Sequence, residues 1–116
     1  MARFHAYERA LTANDLASLH EFFTPDAHRF GPNATQHGAD EISKSRQART
    51  EPLERKLTRV ALQILGEAVV VATAEFEEPG EVGRQTQVWV KQLGNWRITH
   101  AHVSVIPMGE QQENRA

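Results

Sequence analysis

The chain has 116 residues, 40% of them hydrophobic and 24% charged, with a formal net charge of −2. One domain of this length buries a core with little stability to spare. The charge excludes a general nucleic-acid binder, no run is long and apolar enough to span a membrane, and the absence of cysteine excludes disulfides and thiolate chemistry.

The first residues, MARFHAYERAL, are charged and amphipathic, which is not the pattern of a signal peptide, and the cytoplasm is the simplest compartment. Phe4, Tyr7 and Leu11 fall at helical spacing, and Leu16, Leu19, Phe22 and Phe23 do so again. Asn14-Asp15 separates the two helices, because Asn tolerates a left-handed turn and Asp caps the next start. Thr24-Pro25 ends the second helix, since the residue before Pro avoids helix. A short strand is expected over His28 to Phe30, then a polar loop from Asn33 to Gly38, then a helix from Asp40 to Arg49. Ile42, Arg46 and Arg49 share one face of that helix, where an apolar stripe would be expected if it merely packed on a core. The arginines are either a solvated edge or the wall of a site.

Pro52 breaks the chain. Leu53 to Leu65 reads as a strand with Thr58, Val60, Leu62 and Ile64 on one face. Ala68 to Glu78 and Val82 onward read as a hairpin about Pro79-Gly80, and a second hairpin turns at Gly94-Asn95. Helices followed by a meander of long antiparallel strands make an α+β protein.

The first hairpin's register follows from its two-residue loop. Glu78 pairs with Glu81, Glu75 with Arg84 and Thr73 with Thr86. The other face sets Phe76, Ala74, Ala72 and Val70 against Gly83, Gln85, Gln87 and Trp89. Small alanines opposite long glutamines leave a hollow lined by amides, a candidate ligand site. A simple even loop in the second hairpin puts His100, His102 and Ser104 on the glutamine face; a single bulge moves them to the opposite one. A His-x-His pair also can bind a metal, but no convincing third ligand accompanies it, so no metal or cofactor is assigned.

The order of elements and the ending W-R-I-T-H-A-H-V-S resemble the nuclear-transport-factor-2-like cone fold, in which a curved antiparallel sheet wraps around N-terminal helices. More narrowly, the chain is similar to the AtzH-like family, which includes the oxalurate-catabolism protein HpxZ. The matching pieces are Phe4 to Asp15, Arg29 to Gly31, Ile42 to Arg49, Gly83 to Trp89 and Trp96 to Ser104. A weaker likeness, in T-Q-V-W and H-A-H-V-S, is to the association domain of calmodulin-dependent kinases. The resemblance implies a pocket between the concave sheet and the helices, dimers through the sheet, and hydrolysis of dicarboxyurea. Three positions depart from the family pattern: Ala34 where a glutamate is usual, Ser45 for a phenylalanine, and His100 for an alanine. A cone-fold domain is thus expected over residues 1–108, with a disordered tail over 109–116.

Two functions follow as expectations. One is hydrolysis of a small carboxylated urea or amide, with Arg29, Arg46 and Arg49 on the carboxylate and Gln85 and Gln87 on the amide. His102 would activate water if it faces the pocket. The other is non-catalytic binding of a small carboxylate, as a dimeric accessory subunit. Val69, Val71, Val88 and Val90, on the face away from the glutamines, are the expected homodimer surface.

Overall fold

The computed structural model describes residues 1–49 and 53–109. Three helices precede the long strands: α1 (Ala2–Ala13), α2 (Leu16–Glu21) and α3 (Ala39–Gln47). The strands are β1 (Phe23–Phe30), β2 (Thr35–His37), β3 (Lys56–Ile64), β4 (Val69–Glu78), β5 (Glu81–Gln92) and β6 (Asn95–Pro107). They form one sheet in the order β2-β1-β6-β5-β4-β3. The α+β arrangement expected from the sequence is present, with the helices against one face of the sheet.

Local chemistry sets the breaks. Asn14 sits at φ 55, ψ 42, the left-handed cap that lets α1 stop, and the Asp15 carboxylate accepts from the Ser18 N–H to start α2. The β4–β5 register is the one that the Pro79-Gly80 loop dictates, from Glu78 opposite Glu81 to Val70 opposite Trp89. The second turn is Leu93-Gly94 rather than Gly94-Asn95. Both of its residues have positive φ, which gives the hairpin a twist matched to its strands.

Several expectations shift. The first strand begins at Phe23, before Pro25, and runs parallel to β6. Pro25 falls where that pairing is irregular, so no ladder hydrogen bond is demanded of it. Thr35–His37, expected as loop, pairs with β1 as a short edge strand. The strand expected from Leu53 starts at Lys56 and is bulged at Thr58. The expected tail lies outside the described residues beyond Gly109.

The core lies between α1, α2 and the sheet. Phe4, Trp89 and Ile98 are fully buried, with Tyr7, Leu11, Leu19, Phe22, Phe23 and Ile42 around them. Tyr7 and Phe22 both meet Trp89 edge to face, a geometry that adds to the burial of these large rings. Bulges in β3 and β6 bend the sheet and help open a cavity at the end of the core.

Candidate functional site: an arginine cavity between helix and sheet

A cavity of about 250 Å³ opens beside the core. Helix α1 supplies Tyr7 and Leu11, and β5 and β6 supply Gln85, Gln87, Ala101 and Val103. Arg29, Arg46, Arg49 and Arg55 converge on it from four segments. The hollow expected over the hairpin therefore lies over β5 and β6. Ala72 and Ala74 of β4 are buried in the core beside it.

Arg46 projects from α3 on the face that also carries Ile42, so packing Ile42 inward carries Arg46 inward with it. It is only 6% exposed. Its Nη2 donates to the Tyr7 hydroxyl at 2.7 Å, while Nε and Nη1 have no partner among the described residues. Arg49 leaves one buried nitrogen, Nη1, unpartnered. Arg29 donates to the Gln36 side chain at 3.1 Å, and its guanidinium lies against Gly31, where a Cβ would come within 2.7 Å of it. Burial lowers the pKa of both Arg29 and Arg49, and the charge of Arg46 lowers them further. Like charges are thus gathered where they are partly shielded from water. Buried charge without a counterion is costly. A bound anion would offset that cost.

Arg55 differs. It lies 3.8 Å over the Phe76 ring and donates to Glu8 Oε1 at 3.1 Å and to the Gln85 side-chain oxygen. The Gln85 amide donates to the same Glu8 oxygen at 3.0 Å. Gln87 is occupied too, accepting from the Trp89 indole at 3.0 Å. Thus Gln85 and Gln87 are buried and line the cavity as expected, but each carbonyl oxygen already has a protein donor.

Sequence reasoning missed Glu8, Tyr7 and Arg55. Glu8 had a signal: it falls on the apolar stripe of α1 between Tyr7 and Leu11. Arg55 precedes Leu57 by two in an extended segment, and Leu57 packs on the core, which sends Arg55 inward. The bulge at Thr58 hid that parity, because it puts Leu57 on the same face as Val60.

His102 is corrected. With a Leu93-Gly94 loop and no bulge, Gln85 would face His102. A register shift after Trp89–Ile98 leaves Thr99 unpaired, so Gln85 faces Val103 and Gln87 faces Ala101. His100 and His102 therefore stand exposed on the outer face of the sheet. There His100 lies in a row with His28 and His37, and the last two meet Nδ1 to Nδ1 at 2.7 Å.

Two other concavities are weaker candidates. The larger, about 590 Å³, lies between α2 and α3. Its rim charges are solvated: the His20–Asp40 contact is 3.5 Å long, with Asp40 96% exposed. The other, about 260 Å³, lies on the outer face around Thr73, Thr86, Arg59 and Arg84. Size favours the first, and Arg46 borders it as well; Arg29, Arg49 and Arg55 line only the arginine cavity, and we weigh that convergence of charge more heavily.

The AtzH-like family model matches residues 1–109. The chain belongs to the AtzH-like family. Among solved structures, it is 40% identical to a protein of unknown function from Pectobacterium atrosepticum, covering 90% of this chain and 86% of that one with a TM-score of 0.85. It is 37% identical to a cystatin-like fold protein from Burkholderia xenovorans, covering 92% and 88% with a TM-score of 0.82. A nuclear-transport-factor-2-like protein of unknown function from Pseudomonas putida shares the fold at 16% identity, covering 89% and 81% with a TM-score of 0.76. No curated protein matches. The AtzH-like chain thus has the nuclear-transport-factor-2-like fold, and no helix among its described residues is long and apolar enough to cross a membrane.

Proposed function

We propose that the cavity binds a small carboxylate-bearing urea or amide, with the carboxylate on Arg46 flanked by Arg29 and Arg49. The observation that carries this is Arg46: a guanidinium 6% exposed, with two unpartnered nitrogens and no acid within ion-pair distance among the described residues. A guanidinium gives a carboxylate charge-assisted hydrogen bonds, and the unpartnered Nε and Nη1, on opposite sides of the group, each have an N–H to offer. A cavity of about 250 Å³ suits a ligand smaller than a typical drug.

Membership of the AtzH-like family supports hydrolysis as the reaction. With His102 outside the cavity, the water-activating group falls to a carboxylate of the cavity, and Glu78 is the better placed. It lines the cavity, and burial raises its pKa, which strengthens it as a base. A second reading, binding without catalysis as an accessory subunit, is favoured by the same absence of His102. Incubation with N-carbamoylglycine and product detection by NMR separates them: water cleaves the ureido group to ammonia, carbon dioxide and glycine under the first, and under the second the ligand raises the melting temperature but stays intact. Failure of both N-carbamoylglycine and other small carboxylates to shift the melting temperature would sink both readings.

The protein works, on this account, as a cytoplasmic homodimer joined through the outer face of the sheet. Val69, Val71, Val88 and Val90 are half-buried neighbours there. Light scattering should give twice the chain mass, and a monomer at micromolar concentration would contradict the dimer.

A further inference from the structure

Strand β3 ends the sheet, and one of its edges has no strand partner among the described residues. Such an edge offers unpaired N–H and C=O groups, and proteins blunt it with charge, a bulge or proline. The first half of β3 is blunted in this way, by Lys56, Arg59 and the irregularity at Thr58. The second half is not: Val60 to Leu65 reads VALQIL, with no charge and no proline. The Leu65 N–H bonds the Val69 carbonyl across the turn, so by alternation the backbone groups of Val60, Leu62 and Ile64 point to the free edge. The side chains of these three residues share a face with Ala74, Ala72 and Val70 of the core, yet all three are exposed, Ile64 by 76%. Arg59 stands at one end of the segment, its side chain exposed and 3.9 Å from Glu75. Glu67 follows the other end, exposed and without an ion pair among the described residues.

We infer that this edge pairs with the same edge of a second copy, antiparallel and about a twofold axis. The segment is self-complementary in that sense alone. A cation precedes its apolar centre and an anion follows it, so antiparallel copies set Arg59 of each beside Glu67 of the other, whereas parallel copies would set like charges together. With Gln63 opposite Gln63, Leu62 of one copy faces Ile64 of the other. These pairs use the free backbone groups and cover both side chains. The contact is small and therefore weak. It is distinct from the outer-face dimer proposed above, so the two interfaces together give an assembly of four chains at high concentration.

Light scattering of the full chain over a concentration series tests this. The mass should double between about 10 µM and about 500 µM, whichever unit it starts from, as a weak interface allows. R59E and E67R should each lower the association constant at least about fivefold, and R59E/E67R should restore it to within about twofold of the parent. An equimolar mixture of the two single variants should associate although neither does so alone, which also shows that both are folded. A parent mass that stays constant over the series, a doubling that survives unchanged in R59E, or a double variant no better than the single ones would overturn the pairing.

Discussion

Arg46 Nη2 lies 2.7 Å from the Tyr7 hydroxyl oxygen, and this is the only hydrogen bond of its side chain among the described residues. A cation so buried has one neutral hydrogen-bond partner and the Tyr7 and Phe23 rings at 5.8 Å, but no counterion among the described residues. In a protein that never met an anion there, an apolar side chain of similar length would serve better. Arg46→Met should therefore raise the stability of the ligand-free chain, by about 1–3 kcal/mol in urea unfolding, while removing binding of small carboxylates. A stability loss would mean that the guanidinium is satisfied in a way that the hydrogen bonds do not show.

Glycine at position 83 is required by packing. A Cβ there would lie 2.1 Å from the Phe76 ring, and Arg55 stacks on that ring at 3.8 Å. Gly83→Ala should push Phe76 aside, cost about 1–3 kcal/mol as other overpacked sites do, and weaken ligand binding by displacing Arg55. Wild-type stability with unchanged tryptophan fluorescence would show that the ring moves freely.

The tight turn at Leu93 points the other way. Leu93 holds φ 51 and is fully solvent-exposed, so it bears left-handed strain without compensating burial. Leu93→Asn should stabilise the hairpin by about 1 kcal/mol, since asparagine tolerates this region. Chemical denaturation midpoints of the two chains decide it.

Glu78 gives the protein a pH signature. Its carboxyl is raised by burial, so the folded chain binds that proton more tightly than the unfolded chain. The resulting increment of stability is present at low pH and is lost as pH rises through the raised folded value. Glu78→Gln should accordingly melt higher than the parent at neutral pH, with the difference shrinking below the carboxylate range. A constant difference across that range would exclude Glu78 as its source.

Most of the fold was legible because turn chemistry sets registers. Pro79-Gly80 determined every pair of the β4–β5 ladder, and Asn14-Asp15 determined the helix break. What escaped was the single extra residue. Thr99 moves the histidines of β6 from one face to the other, and Thr58 does the same to the start of β3; periodicity cannot reveal a bulge because the pattern on either side of it remains regular. For the same reason the site was half legible. Arg46 was found from its helix face and Gln85 and Gln87 from their hairpin. His102 was misplaced, and Arg55, whose position depends on the bulged strand, was not found. Glu8 was signalled by its place on the apolar stripe of α1, but its pairing with Arg55 and Gln85, like that of Tyr7 with Arg46, is a long-range contact that no local spacing encodes.

The most direct test is a crystal structure of the chain soaked with N-carbamoylglycine. The account predicts the carboxylate between Arg46 and its arginine neighbours, with an oxygen about 2.7–2.9 Å from Arg46 Nε or Nη1. Ligand density in the concavity between α2 and α3, with only water among Arg29, Arg46 and Arg49, would contradict it.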